Sequence, residues 1–434
     1  MFEIKVYAQS LGCPKNLVDT ENILGALGNC WTPAQNLQKA SLVLINTCAF
    51  IRPAVEESLD TIFDIAQDIQ NSSPRPLLVV TGCLVSRYGP GLGREIREAD
   101  MLVSLREQKD LPRKILDHFG LPQEKLPDFP RALNASARPH AYLKISEGCN
   151  NRCAFCTIPS IRGRLRSRPV QELLDEAACL VDGGVSEIVL VSQNSTAYGL
   201  DLGYRRGLGK LAARLARLQG LNWLRIMYLY PAGLDTKLLE SLADLGPPFV
   251  PYFDVPLQHA HPDILRLMGR AFKQDPMQVI ERIRKFFSDA AIRTTLITGY
   301  PGEEEKHFRT QLNFVRQARL QHLGVFPYYP EEGTRAAGFS GQLPAEVKNR
   351  RRRLIMQEQK KISREYLKGF VDQDLEVLVE EPHPEWPGLF TGRTWFQAPQ
   401  VDGITYISGP DMKSGQMVTA RIRNSLDYDL QALV

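Results

Sequence analysis

The chain has 434 residues, a formal net charge of +4 and 24% charged residues. That length exceeds the roughly 250 to 300 residues at which one core stops growing, so two or three domains are expected. The near balance of charge excludes global steering toward nucleic acid or a membrane surface, and any electrostatic argument has to be local.

The first residues, MFEIKVYAQSLG, are broken by Glu3 and Lys5 and lack the basic-then-apolar order of a secretory signal. No run approaches the ~18 uninterrupted apolar residues of a membrane span. A cytoplasmic protein without a membrane partner is expected, and in that compartment cysteines are more often metal-binding or catalytic than disulfide-bonded.

In the first quarter of the chain, three apolar, strand-like runs each end in a thiol: KVYAQSLGC at Cys13, SLVLINTC at Cys48 and LLVVTGC at Cys83. The segments ENILGALGN and AVEESLDTIFDIAQDI between them have helical periodicity, which predicts an N-terminal α/β domain with a parallel sheet. Ligands of such sheets bind outside the carboxyl ends of the strands, so three thiols spaced 35 residues apart in both gaps could converge there. Buried cysteine is also a common small apolar core residue, and the pattern alone leaves both readings open.

Residues 147–156 read EGCNNRCAFC and place Cys149, Cys153 and Cys156 in a C-x3-C-x2-C spacing directly after the strand-like YLKIS. Three thiolates can hold three irons of a 4Fe-4S cube and leave the fourth iron open to a substrate or cofactor. A zinc knuckle would want a fourth Cys or His close by, and the next histidine along the chain is His259. Three incidental thiols are the bland alternative.

From 142 to 330, six strand-like runs (YLKIS, EIVLVSQ, WLRIMYLY, YFDVPLQ, IRTTLITGY, LGVFPYY) alternate with helical stretches. The alternation predicts a parallel sheet with right-handed crossovers, and six units fall short of the eight of a closed barrel. A partial (β/α)6 barrel is therefore expected, with its site at the carboxyl ends of the strands. Four residues of the turns assigned to those ends, Gly183, Gly184, Gln193 and Gly299, are candidate cofactor contacts, although such glycines also mark helix ends and tight turns. His259 is assigned no role, and no acid–base residue stands out as catalytic.

The segment KNRRRRLIMQEQKKISREY, residues 348–366, has eight bases and two acids and reads as a solvated linker helix with a few barrel contacts. Short alternating strands follow (DLEVLVE, LFTGRTW, ITYIS, QMVTARIR, YDLQALV), which predict a small β-barrel. Residues 367–434 contain ten acids and five bases, a net charge of −5. Nucleic-acid binding asks for a basic surface, so this barrel suits a basic partner better.

The three-cysteine spacing, with Phe155 before the third cysteine, resembles the signature of the radical S-adenosylmethionine (SAM) superfamily. That resemblance implies an open iron that chelates SAM, whose one-electron cleavage gives a 5'-deoxyadenosyl radical. Over nearly the whole chain, the order SLGCPKN, NTCAF, TGC, GCNNRCAFC, SRP, PLQH and ITGYPGE resembles the methylthiotransferase family within that superfamily.

The resemblance implies three domains: an N-terminal methylthiotransferase domain at 1–115, a radical SAM partial barrel at 135–366 and a TRAM-like β-barrel at 367–434. It also implies two 4Fe-4S clusters, one on Cys149, Cys153 and Cys156 and an auxiliary one on Cys13, Cys48 and Cys83. Cys30 and Cys179 match no ligand of the family. SAM would serve as both radical source and methyl donor, with sulfur delivered at the auxiliary cluster. The stretch SLGCPKNLVDTEN, with Pro14 after the cysteine, and the run Tyr-Leu-Tyr-Pro at 228–231 resemble the branch that modifies an aspartate β-carbon in protein twelve of the small ribosomal subunit. That implies a basic ribosomal protein as partner, free or on the ribosome, and a reductant protein. For the basic helix at 348–366, contact with ribosomal RNA is then the alternative to a solvated linker. Methylthiolation of an adenosine in transfer RNA is the alternative, and an iron-sulfur binding protein without turnover is a third reading.

Overall fold

The computed structural model describes residues 3–122, 131–132, 138–270 and 275–434. The domain start expected at 135 lies outside the described residues. The chain divides into two compact units, one made of residues 1–137, 147–151 and 156–165 and the other of 138–146, 152–155 and 166–434. The C-terminal barrel thus shares a unit with the central sheet.

In the first unit, strands β1 (Ile4–Ser10), β2 (Trp31–Pro33), β3 (Leu42–Thr47), β4 (Leu77–Gly82) and β5 (Met101–Ser104) form a parallel sheet in the order β2-β1-β3-β4-β5. Its helices are α1 (Pro14–Gly25), α2 (Arg52–Ile69), α3 (Cys83–Tyr88), the one-turn α4 (Leu92–Glu95), α5 (Leu111–His118) and α6 (Ile158–Arg162). Every residue of β3 and β4 is buried, as helices on both faces of a parallel sheet require. Alternate residues feed two cores. Val43, Ile45, Leu78 and Val80 pack with Ile62 and Ile65 of α2, whereas Leu42, Leu44 and Val79 pack with Leu24 of α1 and Ile115 of α5. Cys30 is an apolar member of the second core. The strand order reverses between β1 and β3, and in such sheets that switch point is where ligands sit. Cys13 and Cys48 follow those two strands.

In the second unit lies β6 (His140–Lys144), and the two-residue strands β7 (Ser146–Glu147) and β8 (Arg166–Ser167) come after it in the chain. Then come β9 (Glu187–Val191), β10 (Trp223–Ile226), β11 (Phe249–Asp254), β12 (Ala291–Thr298) and β13 (His322–Pro327). The sheet β6-β9-β10-β11-β12-β13 is parallel throughout and runs in chain order, the open six-stranded arrangement expected from the alternation. The crossovers contain α7 (Val170–Asp182), α8 (Gly207–Leu215), α9 (Thr236–Ala243), α10 (Pro262–Leu267), α11 (Pro276–Phe286) and α12 (Glu305–Ala318). Cys179 lies exposed on α7.

The Arg-rich segment is not a solvated linker. It forms α13 (Ala345–Lys368), whose Ile355, Ile362 and Leu367 are buried together with Lys348, Arg351 and Gln359. Lys348 Nζ donates to the Tyr328 carbonyl at 3.0 Å, Arg351 Nη1 to Glu303 Oε1 at 2.7 Å, and Gln359 to the Leu320 carbonyl at 2.8 Å. The inward stripe recurs at helical spacing, but cations occupy part of it, so a hydropathy reading sees only a polar helix.

Strands β14 (Asp374–Pro382), β15 (Leu389–Arg393), β16 (Thr405–Ser408), β17 (Met417–Ser425) and β18 (Leu430–Leu433) close into the expected barrel, in the order β14-β15-β16-β18-β17. Its contact with the central sheet is ionic and buried. Arg393 Nη2 lies 2.7 Å from Glu187 Oε2, whose other oxygen accepts from Arg225 Nε at 2.7 Å, and all three side chains are at most 1% exposed. Glu380 bridges Arg393 and His140 at 2.8 and 2.9 Å, and Asp402 accepts from Arg293 at 2.6 Å and Tyr252 at 2.7 Å. Asp427 pairs with Lys360 and Arg364 of α13. Glu380 and Asp402 are thus paired inside the joint with the central sheet and do not add to the acidity of the outer surface.

Candidate metal centres

In the first unit, each of Cys13, Cys48 and Cys83 stands just past the carboxyl end of a neighbouring strand, at the N-terminus of α1, in the β3–α2 loop and as the first residue of α3. Glycine makes two of these turns possible. Gly12 and Gly82 have φ of +84° and +106°, backbone that a side chain strains. A β-carbon at Gly12 would lie 2.5 Å from Cys48 Cβ and 2.6 Å from its sulfur, so the β1 loop reaches Cys48 only because residue 12 has none. One at Gly82 would meet the Thr47 carbonyl at 2.5 Å.

Polar side chains then fix the loops. The Asn16 amide donates to the carbonyls of Leu11 and Thr47 at 2.8 and 2.9 Å, tying the loop after β1 to the end of β3. Asn46 donates back to the Asn16 carbonyl at 2.9 Å. Ser58 of α2 clasps Cys48, accepting from its N–H at 3.1 Å and donating to its carbonyl at 2.8 Å. Fully buried asparagines next to strand ends were the available sequence signal for this scaffold, and sequence reasoning missed them.

The thiols share one electrostatic environment. Burial, chiefly, pushes Cys48 up to about 12, and the charges of Cys13 and Cys83 add to it. Burial also raises Cys83, against the pull of Arg162. Burial opposes ionisation of Cys13 as well, but Lys15 and Arg162 outweigh it and hold that thiol below its ordinary value. Arg162 is the guanidinium at the centre: Nη2 lies 3.4 Å from Cys83 Sγ and on Asn16 Oδ1, while Nη1 donates to both Glu147 oxygens at 2.9 Å and to Asp19 at 3.3 Å.

Coordination to a metal deprotonates thiols outright and would overcome the burial that keeps Cys48 and Cys83 protonated. Among the described residues only His261, Asp263 and His307 bring three ligand-type atoms within 4.8 Å of one another. His261 and His307 cap helices, their Nδ1 atoms accepting the N–H groups of Asp263 and Glu304 at 3.2 and 3.0 Å. In the neutral rings Nε2 then carries the proton, so this set does not offer a metal its lone pairs.

The other cysteine set follows β6. In the first unit, Gly148 turns the chain before Cys149 with φ +77°, and the Asn151 N–H donates to Cys149 Sγ at 3.4 Å. In the second unit, the stretch 152–155 is held from two sides: the Ala154 N–H donates to the Met268 carbonyl at 2.8 Å, and the Ala154 carbonyl accepts from Ala336 at 2.9 Å. Arg270 Nη1 lies 3.7 Å from Cys153 Sγ, its guanidinium stacked 4.6 Å over the Tyr230 ring. Each cysteine set therefore has one buried arginine against one of its sulfurs.

At the carboxyl ends of the central strands, Gln193 lies half-buried after β9, and Ser195 beside it donates to the Met227 carbonyl at 2.6 Å. Gly299 follows β12, but its N–H is spent on Glu303 at 2.9 Å and its α-carbon packs on Lys348 of α13, so packing accounts for this glycine without a ligand. Gly183 and Gly184 are at the wrong end. They close α7 ahead of β9, at the amino end of the sheet, with Gly184 at φ +94° as the helix terminator. A glycine pair beside a strand marks a turn in the sequence but not which end of the strand that turn serves. His259 is fully buried, its Nδ1 accepting from the His261 N–H at 2.9 Å and its Nε2 3.4 Å from Glu303, which gives it a structural place.

Comparison with known proteins agrees with this architecture. Residues 5–104 match the uncharacterized protein family UPF0004, 143–315 the Radical SAM superfamily and 371–434 the TRAM domain. The chain is 51% identical over 431 residues to the ribosomal protein uS12 methylthiotransferase RimO of Oleidesulfovibrio alaskensis, covering 99% of this chain and 100% of that one. It is 40% identical to the protein of that name from Aquifex aeolicus, covering 98% and 96%. Among solved structures, the radical SAM methyltransferase TsrM of Kitasatospora setae, with cobalamin and a [4Fe-4S] cluster bound, superposes with a TM-score of 0.55 at 15% identity, covering 77% of this chain and 74% of that one, a likeness of fold. With identity of this level across its whole length, the chain belongs to the RimO family of ribosomal protein uS12 methylthiotransferases.

Proposed function

We propose that the protein attaches a methylthio group to the β-carbon of an aspartate in ribosomal protein uS12, using two 4Fe-4S clusters and SAM. The observation that carries this reading is the gathering of Cys13, Cys48 and Cys83 at one end of a parallel sheet, on a chain that also has the C-x3-C-x2-C loop. Cys149, Cys153 and Cys156 hold the cluster that binds SAM, and Cys13, Cys48 and Cys83 hold the auxiliary one. When bound, these groups supply one-electron cleavage of SAM, the sulfur and the methyl group, chemistry outside the reach of acid–base side chains.

The chain's own residues supply placement. Gly12, Asn16 and Ser58 fix the three strand-end loops, and the contacts of Ala154 and Arg270 present Cys153. Gln193, at the carboxyl end of β9, contacts SAM. The functional division is a cluster-bearing domain at 1–115, a radical SAM domain at 135–366 and a barrel at 367–434. A reductant protein delivers the electron, and the substrate is the basic protein uS12, free or within the small subunit. No helix among the described residues is long and apolar enough to cross a membrane. Anaerobic incubation of the reduced, reconstituted chain with SAM and purified uS12, followed by peptide mass mapping, tests the reading. A methylthio increment on one aspartate supports it, and SAM cleavage without any change to uS12 contradicts it.

A further inference from the structure

Arg162 is nearly inaccessible, its side chain 1% exposed, and two carboxylates already meet its charge: Glu147 at 2.9 Å and Asp19 at 3.3 Å. Nη1 alone makes both of these ion pairs. Nη2 turns away from both carboxylates onto Asn16 Oδ1 and Cys83 Sγ, the latter at 3.4 Å. Asn16 is the residue whose amide ties together the loops that bear Cys13 and Cys48. One guanidinium thus connects to all three cysteine loops, to two through Asn16 and to the third through a direct N–H···S contact. The planar fork of arginine can serve these directions together, which the single ammonium of lysine cannot.

We propose that Arg162 is a positioning residue of the auxiliary cluster, holding Cys83 as a ligand and setting the reduction potential of the cluster through its N–H···S hydrogen bond and its charge. The inference rests on the reading that Cys13, Cys48 and Cys83 hold that cluster. Hydrogen bonds to ligand sulfurs and net local charge are the means by which proteins tune iron-sulfur potentials, and such outer contacts also decide whether a site assembles. A cation and donor at the sulfur favour the reduced, more negative state. Removing them should move the potential to a more negative value.

The test uses the full chain with C149A, C153A and C156A, so that only the auxiliary cluster remains, reconstituted anaerobically. Iron and sulfide content, the electron paramagnetic resonance spectrum and the midpoint potential are measured, with folding followed by circular dichroism. R162M alone strands two buried carboxylates, so it is combined with D19N and E147Q, which removes the ion network while keeping its shape. If Arg162 serves the cluster, this neutral variant, which removes two anions together with the cation, folds but either loses iron or holds a cluster with a changed potential and an altered spectrum. R162K, which keeps every charge and loses the fork that reaches Cys83, moves the potential to a more negative value. A full cluster at the parent potential in either variant would overturn the proposal and leave Arg162 a structural ion pair. A cluster that persists in C83A, in the same background, would overturn the reading of the auxiliary site itself and the inference with it.

Discussion

The sulfur of Cys48 occupies the space where Gly12 would carry a side chain: a β-carbon on residue 12 falls 2.6 Å from it. The loop after β1 can close on the end of β3, where the Leu11 N–H reaches the Asn46 carbonyl at 2.8 Å, only because residue 12 lacks a methyl group. G12A should therefore cost stability through both the clash and the positive φ, about 1 to 3 kcal/mol, and should lower the iron content of the reconstituted chain. Urea unfolding and iron assays check this. A G12A protein with full iron and unchanged stability would contradict the account of the pocket.

Replacing Cys48 by Ala should separate the two halves of the chemistry. The auxiliary cluster is lost and no sulfur reaches uS12, while SAM cleavage at the other cysteine set survives. Production of 5'-deoxyadenosine by reduced C48A, assayed beside the mass of uS12, checks this. Loss of both together would mean that the cysteine sets do not act as separate sites.

Much of this was legible in the sequence. Periodicity gave the two parallel sheets, whose buried strands read as short apolar runs between helical stretches, and the barrel, whose strands alternate in burial. Cys13, Cys48 and Cys83 were visible as strand-end thiols, although core packing explained them equally well until their relatives in order were considered. Arg162 was not visible: its partners Asp19 and Cys83 are 143 and 79 residues away in sequence, and nothing local marks an arginine that will be buried. The same holds for Lys348 and Arg351 on α13, where charge hid an inward face. Gly183 and Gly184 failed for another reason, since a glycine pair marks a helix end with equal force at either edge of a sheet.

The joint between sheet and barrel predicts a large effect from a conservative change. Glu187 lies between Arg225 and Arg393 with no exposed surface. E187Q leaves two buried guanidinium groups short of a counter-charge and should destabilise the second unit by about 3 to 5 kcal/mol, measured by urea unfolding. An effect under ~1 kcal/mol would show that other groups, Glu380 first, carry the pairing.

Glu380 makes the same joint acid-sensitive. Burial opposes its ionisation, but the hydrogen bond from His140 and the charge of Arg393 prevail and hold the carboxyl at about 2, against an ordinary 4.5. A carboxylate with a depressed value in the folded state stabilises fully above the unfolded value, and that contribution is lost as pH falls from about 4.5 to about 2. The shift corresponds to about 3 kcal/mol near neutral pH. E380Q should lower stability by roughly that amount at pH 7 and flatten its fall on the acid side, read from urea midpoints across the pH range. An acid limb identical to the parent's would contradict the assignment.

The most direct measurement of the central claim is the intact mass of uS12 from a strain lacking this gene. The account predicts that uS12 from that strain lacks one methylthio increment, that the full chain restores it and that C48A does not. Unchanged uS12, with a methylthiolated adenosine missing from transfer RNA, would contradict it.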